Sequence, residues 1–239
     1  MPLNISGSII TGMIAKVSNY KSVITRGLTY YLEATAAESI PETGTTWFDI
    51  IGNNSSTLTN GANWTSSFAG SVRLDGADDF VDCGNVVGSA TSFTVCSWVY
   101  PGSTQTIYAD IFDNNHTGVQ NWVCQQNVSN TNQYAFDIIG ATSFSSTGLF
   151  TLTANTWTFL TFTWDNDRAR GYTNGSLFGT GASAPGALTY ASPYLRLGRW
   201  GGGGRQWNGS YGNFYYYNRT LSAAEISQNF NAQKSRFGI

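Results

Sequence analysis

Apolar and polar positions alternate along most of this chain, and this period of two predicts β-strands. In the segment 155–180, a run rich in aromatic residues and threonine is followed by two turn sequences, Asp165-Asn166-Asp167 and Asn174-Gly175. Asn-Gly is a strong hairpin signal, so this segment predicts a three-stranded meander. The segment 92–100 (SFTVCSWVY) is apolar on both faces and predicts a central strand covered on both sides. Further strands are predicted at residues 28–32, 72–74, 80–81, 106–112, 121–126, 134–139, 195–200 and 211–217, and a loop at 141–147.

The end of the chain predicts a turn followed by one short helix. Residues 218–220 form the turn, and Ser222 with Glu225 has the spacing of a capping box, in which each side chain bonds the other residue's backbone amide. The helix is expected to end near Lys234, before Gly238. Three apolar residues at helical spacing would lay one face of it on the body of the protein: Leu221, Ile226 and Phe230.

About a dozen predicted strands, near-regular turns, no internal repeat and no linker define the expected fold class. They predict an all-β, two-sheet antiparallel jelly-roll sandwich over residues 27–239, closed by the C-terminal helix. Residues 1–26 differ, because they contain three Lys or Arg residues, no acidic residue, and neither Trp nor Phe. They predict an N-terminal arm, which either packs on itself or docks on a partner.

Composition agrees with this fold class and narrows the partners. Aromatic residues make up 15% of the chain and charged residues 11%, with 27 Gly and 5 Pro, a balance that favours strands and turns. The net charge of −2 gives no electrostatic reason to expect nucleic acid or an anionic membrane as a partner. The first residues, MPLNISGSII, lack the basic start and apolar core of a signal peptide, and no run is long enough to span a membrane.

The residues most often used in chemistry are few. Cys83, Cys96 and Cys124 show neither a metal-binding spacing nor a disulfide framework, so we expect free, buried thiols. His116 is the single histidine and lies among turn-forming residues without a nucleophile beside it in sequence. We therefore expect it to be an exposed residue without a catalytic role.

Four segments carry a family resemblance: TTWFDIIGNNSSTLTNG (45–61), DGADDFV (75–81), WTFLTFTWDNDRARGYTNGSL (157–177) and the C-terminal NRTLSAAEISQNFNAQKSRFGI (218–239). Together they resemble laminin-G-like, or concanavalin A-like, jelly-roll domains of the type found in bacteriophage structural proteins. The chain departs from that pattern at Glu33, where Asp is usual, and at Ile51, where Ser is usual. The resemblance covers about residues 28–239.

The resemblance implies a bacteriophage virion protein made in the bacterial cytoplasm and displayed on the particle surface. The expected role is a capsid decoration or head-fibre protein with a glycan-binding jelly roll, and a homo-oligomer is expected. Residues 1–26 would dock on the major capsid protein or a tail protein. The alternatives are a tail-fibre adhesin for host attachment and a free lectin-like module, since this fold hosts many functions.

Enzymatic activity is not expected. Glycosidases on this kind of sandwich use paired carboxylates at alternate strand positions, as in Glu-x-Asp-x-x-Glu. The four glutamates of the chain, Glu33, Glu38, Glu42 and Glu225, form no such motif. We therefore predict no catalytic residues.

Glycan binding has sequence candidates in two places. Aromatic rings stack on the apolar faces of sugars, while Asn, Asp and Arg bind their hydroxyl groups. Around the glycine run 201–204 the candidates are Trp200, Arg205 and Trp207, although core packing is the alternative for each Trp. On the hairpin turns they are Asp165, Asp167 and Asn174.

A cluster of acids follows the turn at 75–78. Asp78, Asp79 and Asp82 have the carboxylates that calcium prefers, but their spacing is not that of an EF-hand loop. Turn formation and protection of a strand edge are the favoured explanation of these acids. No cofactor is expected to be required, and calcium remains the alternative.

Overall fold

Two antiparallel sheets of nine strands each form the computed structural model, which describes residues 23–40, 43–52, 54–114, 121–127, 132–140, 143–186, 188 and 194–239. The first sheet contains β1 (Leu28–Glu33), β4 (Asn63–Thr65), β5 (Ser71–Asp75), β7 (Phe93–Pro101), β13 (Thr158–Trp164), β14 (Ala169–Thr173), β15 (Ser176–Thr180), β17 (Asn208–Tyr211) and β18 (Asn213–Tyr217). The second contains β2 (Thr46–Phe48), β3 (Ser55–Thr59), β6 (Phe80–Asn85), β8 (Asp110–Asp113), β9 (Trp122–Gln126), β10 (Gln133–Ile139), β11 (Phe144–Ser146), β12 (Phe150–Thr151) and β16 (Tyr194–Leu197).

Strand β7 is the centre of the first sheet. It pairs with β13 on one side and with both β17 and β18 on the other, and nearly all of its residues are buried. This confirms the central strand predicted from its apolar pattern. The predicted single strand at 211–217 is two strands, which are separated at Gly212. A β-carbon on Gly212 would lie 2.6 Å from the Phe237 ring.

The second sheet has the order β11-β10-β9-β8-β16-β6-β3-β2, and β12 pairs with β10. Three boundaries differ from the predictions. The predicted strand at 106–112 begins only at Asp110, because the preceding residues form a loop held by other contacts. The predicted loop at 141–147 contains β11, and the predicted strand at 195–200 ends at Leu197.

Two hydrophobic clusters hold the protein together. The larger lies between the sheets and is rich in aromatic rings, such as the stacked pair Phe136 and Phe162 at 4.6 Å. The smaller lies on the outer face of the first sheet, under the helix α1 (Ala223–Gln233). All three cysteines are buried and free, as predicted.

Helix α1 begins with the predicted capping box. The Ser222 side chain accepts from the Glu225 amide, and the Glu225 side chain accepts from the Ser222 amide. Ile226 is buried, and the Phe230 ring stacks 5.7 Å from the Trp98 ring. A 3₁₀ turn, Lys234–Phe237, follows the helix and ends at Gly238, whose φ is +76°. The predicted two-sheet jelly-roll sandwich with a short C-terminal helix is therefore confirmed.

The described end of the predicted arm, residues 23–26, packs against the helix. Val23 is buried, the Ile24 amide donates to Asn229 Oδ1, and the Tyr217 hydroxyl donates to the Ile24 carbonyl oxygen. The rest of the predicted arm (1–22), together with Glu42 and His116, lies outside the described residues. Among the residues that the structure describes, no helix has the length and apolar character needed to cross a membrane.

Candidate functional site

The candidate site lies on the outer face of the second sheet, where β8, β9 and β10 are neighbours. Trp122, Cys124 and Phe136 belong to the core between the sheets. Because successive side chains of a strand point to opposite faces, Gln125, which follows Cys124, and Asp137, which follows Phe136, point outward. Asp110 on β8 is the backbone partner of Gln125 on β9, but its own side chain is fully buried.

A depression with a volume of about 200 Å³ lies on this face. Its rim carries two apolar side chains, Tyr108 and Leu149, which are 41% and 53% exposed. The remaining lining is mostly polar, and consists of Gln125, Gln126, Asn127, Ala135 and Asp137. The depression therefore combines an exposed aromatic ring with amide and carboxylate groups.

Tyr108 is positioned by a loop that is fastened at both ends. The Gln105 side chain donates to the Asn208 carbonyl oxygen and accepts from the Asn208 amide, at 2.6 and 2.9 Å. The Thr106 hydroxyl donates to the Gln206 carbonyl oxygen at 2.8 Å. These bonds join the loop before β8 to the loop before β17, and they replace the strand that the sequence predicts at 106–109.

Arg205 connects the two loops to the sheet. Its guanidinium carbon lies 4.7 Å from the Trp200 ring centroid and 5.3 Å from the Tyr108 ring centroid, distances typical of cation–π contacts. Its Nη1 donates to Gln125 Oε1 at 3.3 Å, and its carbonyl oxygen accepts from the Asp110 amide at 2.9 Å. The arginine therefore links both aromatic rings to β8 and β9.

Tyr108 and Arg205, whose side chains are in contact, both have left-handed backbone conformations, with φ of +62° and +55° respectively. Bulky residues rarely adopt this conformation, and it costs of the order of 1 kcal/mol or more per residue. Such strain persists only where surrounding contacts impose it, and it is concentrated at functional sites. Here it places the Tyr108 ring against the guanidinium.

Asp137 lines the depression, and two further acids, Asp110 and Asp113, lie on β8, which pairs with β9. Asp110 is fully buried, and its carboxyl group lies within hydrogen-bonding reach of the Asp113 carboxyl group. Burial raises the pKa of Asp110 well above its ordinary value, the negative charge of Asp113 adds to the rise, and Arg205 opposes it. Burial also raises the pKa of Asp137, while the Ser146 and Gln125 side chains oppose that rise.

The glycine run is folded tightly beside Trp200. A β-carbon on Gly202 would lie 2.5 Å from the Trp200 ring, so a larger residue there would displace that ring. The Arg196 Nη1 donates to the Gly201 carbonyl oxygen at 2.5 Å, which ties the run to β16. This packing holds the half-buried Trp200 ring against Arg205.

The structure separates the candidates predicted around this run. Trp200 and Arg205 are in contact next to the depression, whereas Trp207 is fully buried, 4.9 Å from the Tyr211 ring centroid. The structure places Trp207 in the core and not on the binding surface that the sequence predicts. The reason is that the chain enters β17 at this point and the ring turns inward against Gly209.

The predicted hairpin residues lie on the first sheet and do not contribute to the depression. Asp165 accepts from the Asp167 and Arg168 amides and pairs with Arg170 at 2.5 Å. Burial alone would raise the pKa of Asp165, but the hydrogen bond from Arg170 and those amides hold it below its ordinary value. Asp167 bonds Ser183 and Arg168, and Asn174 Oδ1 accepts from the Phe159 amide at 2.9 Å. These polar groups stabilise their own turns.

The acidic cluster differs by one member from the prediction. Carboxylate oxygens of Asp75, Asp78 and Asp79 all lie within 4.8 Å of one another. Asp82 lies elsewhere, on β6, where it accepts from the Gly84 amide and faces Arg196 at 3.7 Å. Asp79 also caps its turn by accepting from the Asp75 amide at 2.9 Å.

Sequence reasoning did not identify Tyr108, Gln125, Asp137 or Leu149. They come from four separate segments, and only the pairing of β8, β9 and β10 brings them together. No spacing in the sequence marks them as a group. Tyr108 in particular falls within a predicted strand, where an aromatic residue has no special meaning.

Comparison with protein families agrees with the fold. The family model for laminin-G-like domains of the concanavalin A-like lectin/glucanase superfamily matches residues 75–227, more than half of the chain. The chain therefore belongs to this superfamily. The comparison with curated proteins gives no match.

Solved structures share the architecture at low sequence identity. The botulinum neurotoxin DC binding domain, solved in complex with SialylT, has a TM-score of 0.66 at 18% identity over 86% of this chain and 51% of its own. Domain 4 of the arabinanase AbnA from Geobacillus stearothermophilus, solved with arabinotriose, has a TM-score of 0.65 at 17% identity over 84% of this chain and 97% of its own. A sialidase mutant from Trypanosoma rangeli has a TM-score of 0.70 at 15% identity over 99% of this chain and 40% of its own. The chain thus spans about half the length of the neurotoxin domain, and these likenesses establish the fold alone.

Proposed function

We propose that this domain binds a glycan in the depression beside Tyr108 and Arg205. The observation that carries the proposal is an exposed aromatic ring, held in a strained conformation, beside a polar lining that includes Gln125 and Asp137. A sugar ring presents an apolar face that stacks on an aromatic side chain. Its hydroxyl groups donate to carboxylates and exchange hydrogen bonds with amides, which Asp137 and Gln125 provide.

The structural neighbours support this proposal. Other domains with this architecture were solved with arabinotriose and with SialylT. The proposed activity is binding without catalysis, because Asp110 and Asp113 are both almost fully buried and do not face an open cleft. A pair of acids that hydrolyses glycosides must flank the bond that it cleaves.

A glycan array probed with the full chain tests the function, and titration of the best ligand tests the site. Tyr108→Ala is expected to weaken binding roughly fivefold, equivalent to about 1 kcal/mol of stacking. Phe48→Ala is the matched control, because Phe48 is aromatic, 42% exposed and located on β2 at the opposite end of the same sheet. An array without any bound glycan would contradict the function. Equal affinities of Tyr108→Ala and the unmodified protein would contradict the location.

We also propose that the protein is displayed on a bacteriophage particle, as a homo-oligomeric capsid decoration or head-fibre protein. The four sequence segments that resemble phage laminin-G-like domains support this role. Val23 and Ile24, at the end of the predicted docking segment 1–26, are anchored on α1. The predicted docking segment therefore ends at residues that pack against the domain.

Copy number in purified particles and a truncation test this role. Hundreds of copies per particle would support decoration of the capsid, a handful would instead indicate a tail-fibre adhesin, and absence would leave a free lectin-like module. Deletion of residues 1–22, which keeps Val23 in place, is expected to abolish particle binding without changing the melting temperature. Normal particle binding by this truncated protein would contradict the docking role.

A further inference from the structure

We infer that the depression selects neutral sugars and excludes acidic ones such as uronic and sialic acids, an inference that rests on the proposed glycan site. The carboxylate of Asp137 in the lining and the existing contacts of the nearby Arg205 both lead to this ligand class.

The depression is lined by one acid, Asp137, and the acids Asp110 and Asp113 lie on the neighbouring strand β8. Among the described residues that line the depression there is no Lys, Arg or His. A ligand carboxylate placed here would lose water and meet a like charge, which is how binding sites reject a wrong partner.

The one nearby cation already has partners. The Arg205 guanidinium contacts the Trp200 and Tyr108 rings, and its Nη1 donates to Gln125. It also lies close enough to the fully buried Asp110 to oppose the rise in the pKa of that carboxyl. Arg205 is therefore already held by groups of the protein itself, and using it for an acidic ligand would disrupt those contacts.

The Asp137 carboxylate favours ligands that donate hydrogen bonds. Asp137 lines the depression with 8% of its surface exposed, and its Oδ2 lies 3.4 Å from Gln125 Nε2. Neutral and acidic sugars both supply O–H donors, but an acidic sugar adds an ionised carboxylate, which supplies only acceptors and a like charge. A neutral sugar with adjacent hydroxyl groups can donate to Asp137 and exchange a hydrogen bond with Gln125 at the same time.

The size of the depression limits the contact to a short piece of glycan. Its volume of about 200 Å³ is smaller than the range of roughly 300–1,000 Å³ that encloses drug-sized ligands. One sugar ring stacked on Tyr108 uses this space, and the rest of an oligosaccharide would remain in solvent. The selection against acidic sugars therefore concerns the ring that occupies the depression.

Calorimetric titration of the full chain with matched pairs of sugars tests this inference. The probes are galactose and galacturonic acid oligomers, lactose and sialyllactose, and arabinotriose as a further neutral ligand. We expect the neutral member of each pair to bind roughly tenfold or more tightly than the acidic member at neutral pH. Asp137→Asn is expected to reduce that ratio towards one, since it removes a negative charge at nearly constant shape. Asp167→Asn, which makes the same charge change at a half-exposed site on the first sheet, is expected to leave the ratio unchanged.

The outcomes separate the inference from the function on which it rests. Binding of acidic members alone would overturn the inference while leaving the glycan-binding function in place. Absence of binding to every sugar would overturn both. The ratio measured on the unmodified protein decides the ligand class even if Asp137→Asn does not fold, and a folded Asp137→Asn with an unaltered ratio would exclude Asp137 as its cause.

Discussion

Glu33 and Arg236, which are 203 positions apart in the sequence, form an ion pair in which Arg236 Nη1 donates to Glu33 Oε1 at 2.5 Å. Glu33 is only 1% exposed. The same arginine donates to the carbonyl oxygens of Ala69, Gly70 and Gly212. It therefore fastens the C-terminal 3₁₀ turn to β1 and to the turn before β5. In that turn Phe68, Ala69 and Gly70 all have left-handed backbones, with φ of +53°, +62° and +71°.

Arg236→Ala is expected to lower the free energy of unfolding by about 3–5 kcal/mol, because it leaves the Glu33 carboxylate buried without its counter-ion. Urea denaturation measures the change. Arg168→Ala is the control, since its pair with Asp167 is about 40% exposed on both sides and is worth less than about 1 kcal/mol. Equal losses in the two variants would show that burial does not set the strength of these pairs.

The Glu225 carboxyl is expected to make the C-terminal helix sensitive to acid. The hydrogen bond from Arg219, with contributions from Ser222, lowers the pKa of Glu225 from its ordinary 4.5 to about 2. A carboxyl whose pKa is lower in the folded state adds stability above its unfolded pKa and loses it as the pH falls towards the folded value. The difference in unfolding free energy between the unmodified protein and Glu225→Gln should therefore be constant above about pH 5 and shrink between about pH 4.5 and 2.

Urea titrations at several pH values between 6 and 2 check this dependence, and Glu38→Gln is a control on another glutamate. A difference that stays constant down to the lowest pH would show that the carboxylate of Glu225 adds nothing beyond its shape.

Trp207 and Trp200 are expected to respond oppositely to removal, although they belong to the same loop. Trp207→Ala should cost about 3–5 kcal/mol of stability, because the ring is fully buried in the core. Trp200→Ala should cost much less stability and instead weaken glycan binding, because the half-buried ring holds Arg205 beside the depression. Thermal denaturation together with sugar titration distinguishes the two. A severe loss of stability in Trp200→Ala with unchanged binding would contradict this division.

Calcium is expected to be unnecessary for folding. Asp79 already caps its own turn through the Asp75 amide, a role that needs no metal. The melting temperature should therefore be the same with a chelator and with added calcium. A melting temperature that rises with calcium in the unmodified protein, but not in Asp78→Asn, would assign a metal to the cluster of Asp75, Asp78 and Asp79.

Local signals in the sequence were reliable. The Asn174-Gly175 pair forms the predicted two-residue turn, with φ of +50° and +79°, because few other residues tolerate that backbone. The capping box of Ser222 and Glu225 is likewise present, since its partners are only three residues apart. Features of this kind depend on a few neighbouring residues, and so do the alternating patterns that predict the strands.

The site was only partly predictable. The glycine run indicated the right neighbourhood, since Trp200 and Arg205 lie beside the depression, but the same reasoning placed Trp207 there as well. Two tryptophans seven residues apart in a loop look equivalent in sequence, and the direction of each ring depends on where β17 begins. Asp165 and Asn174 were suitable in chemistry, yet their polar atoms are used by their own turns.

The sequence by itself determined the all-β class, the hairpin turns, the capped helix and the superfamily, because these follow from local periodicity and short motifs. Only the tertiary structure decided that Tyr108, Gln125 and Asp137 share one depression and that Glu33 meets Arg236. The physical reason is that strand pairing and sheet packing join segments that are distant in the chain. Which face of a strand is buried, and which loop leans on it, depends on those distant partners and not on the neighbouring residues.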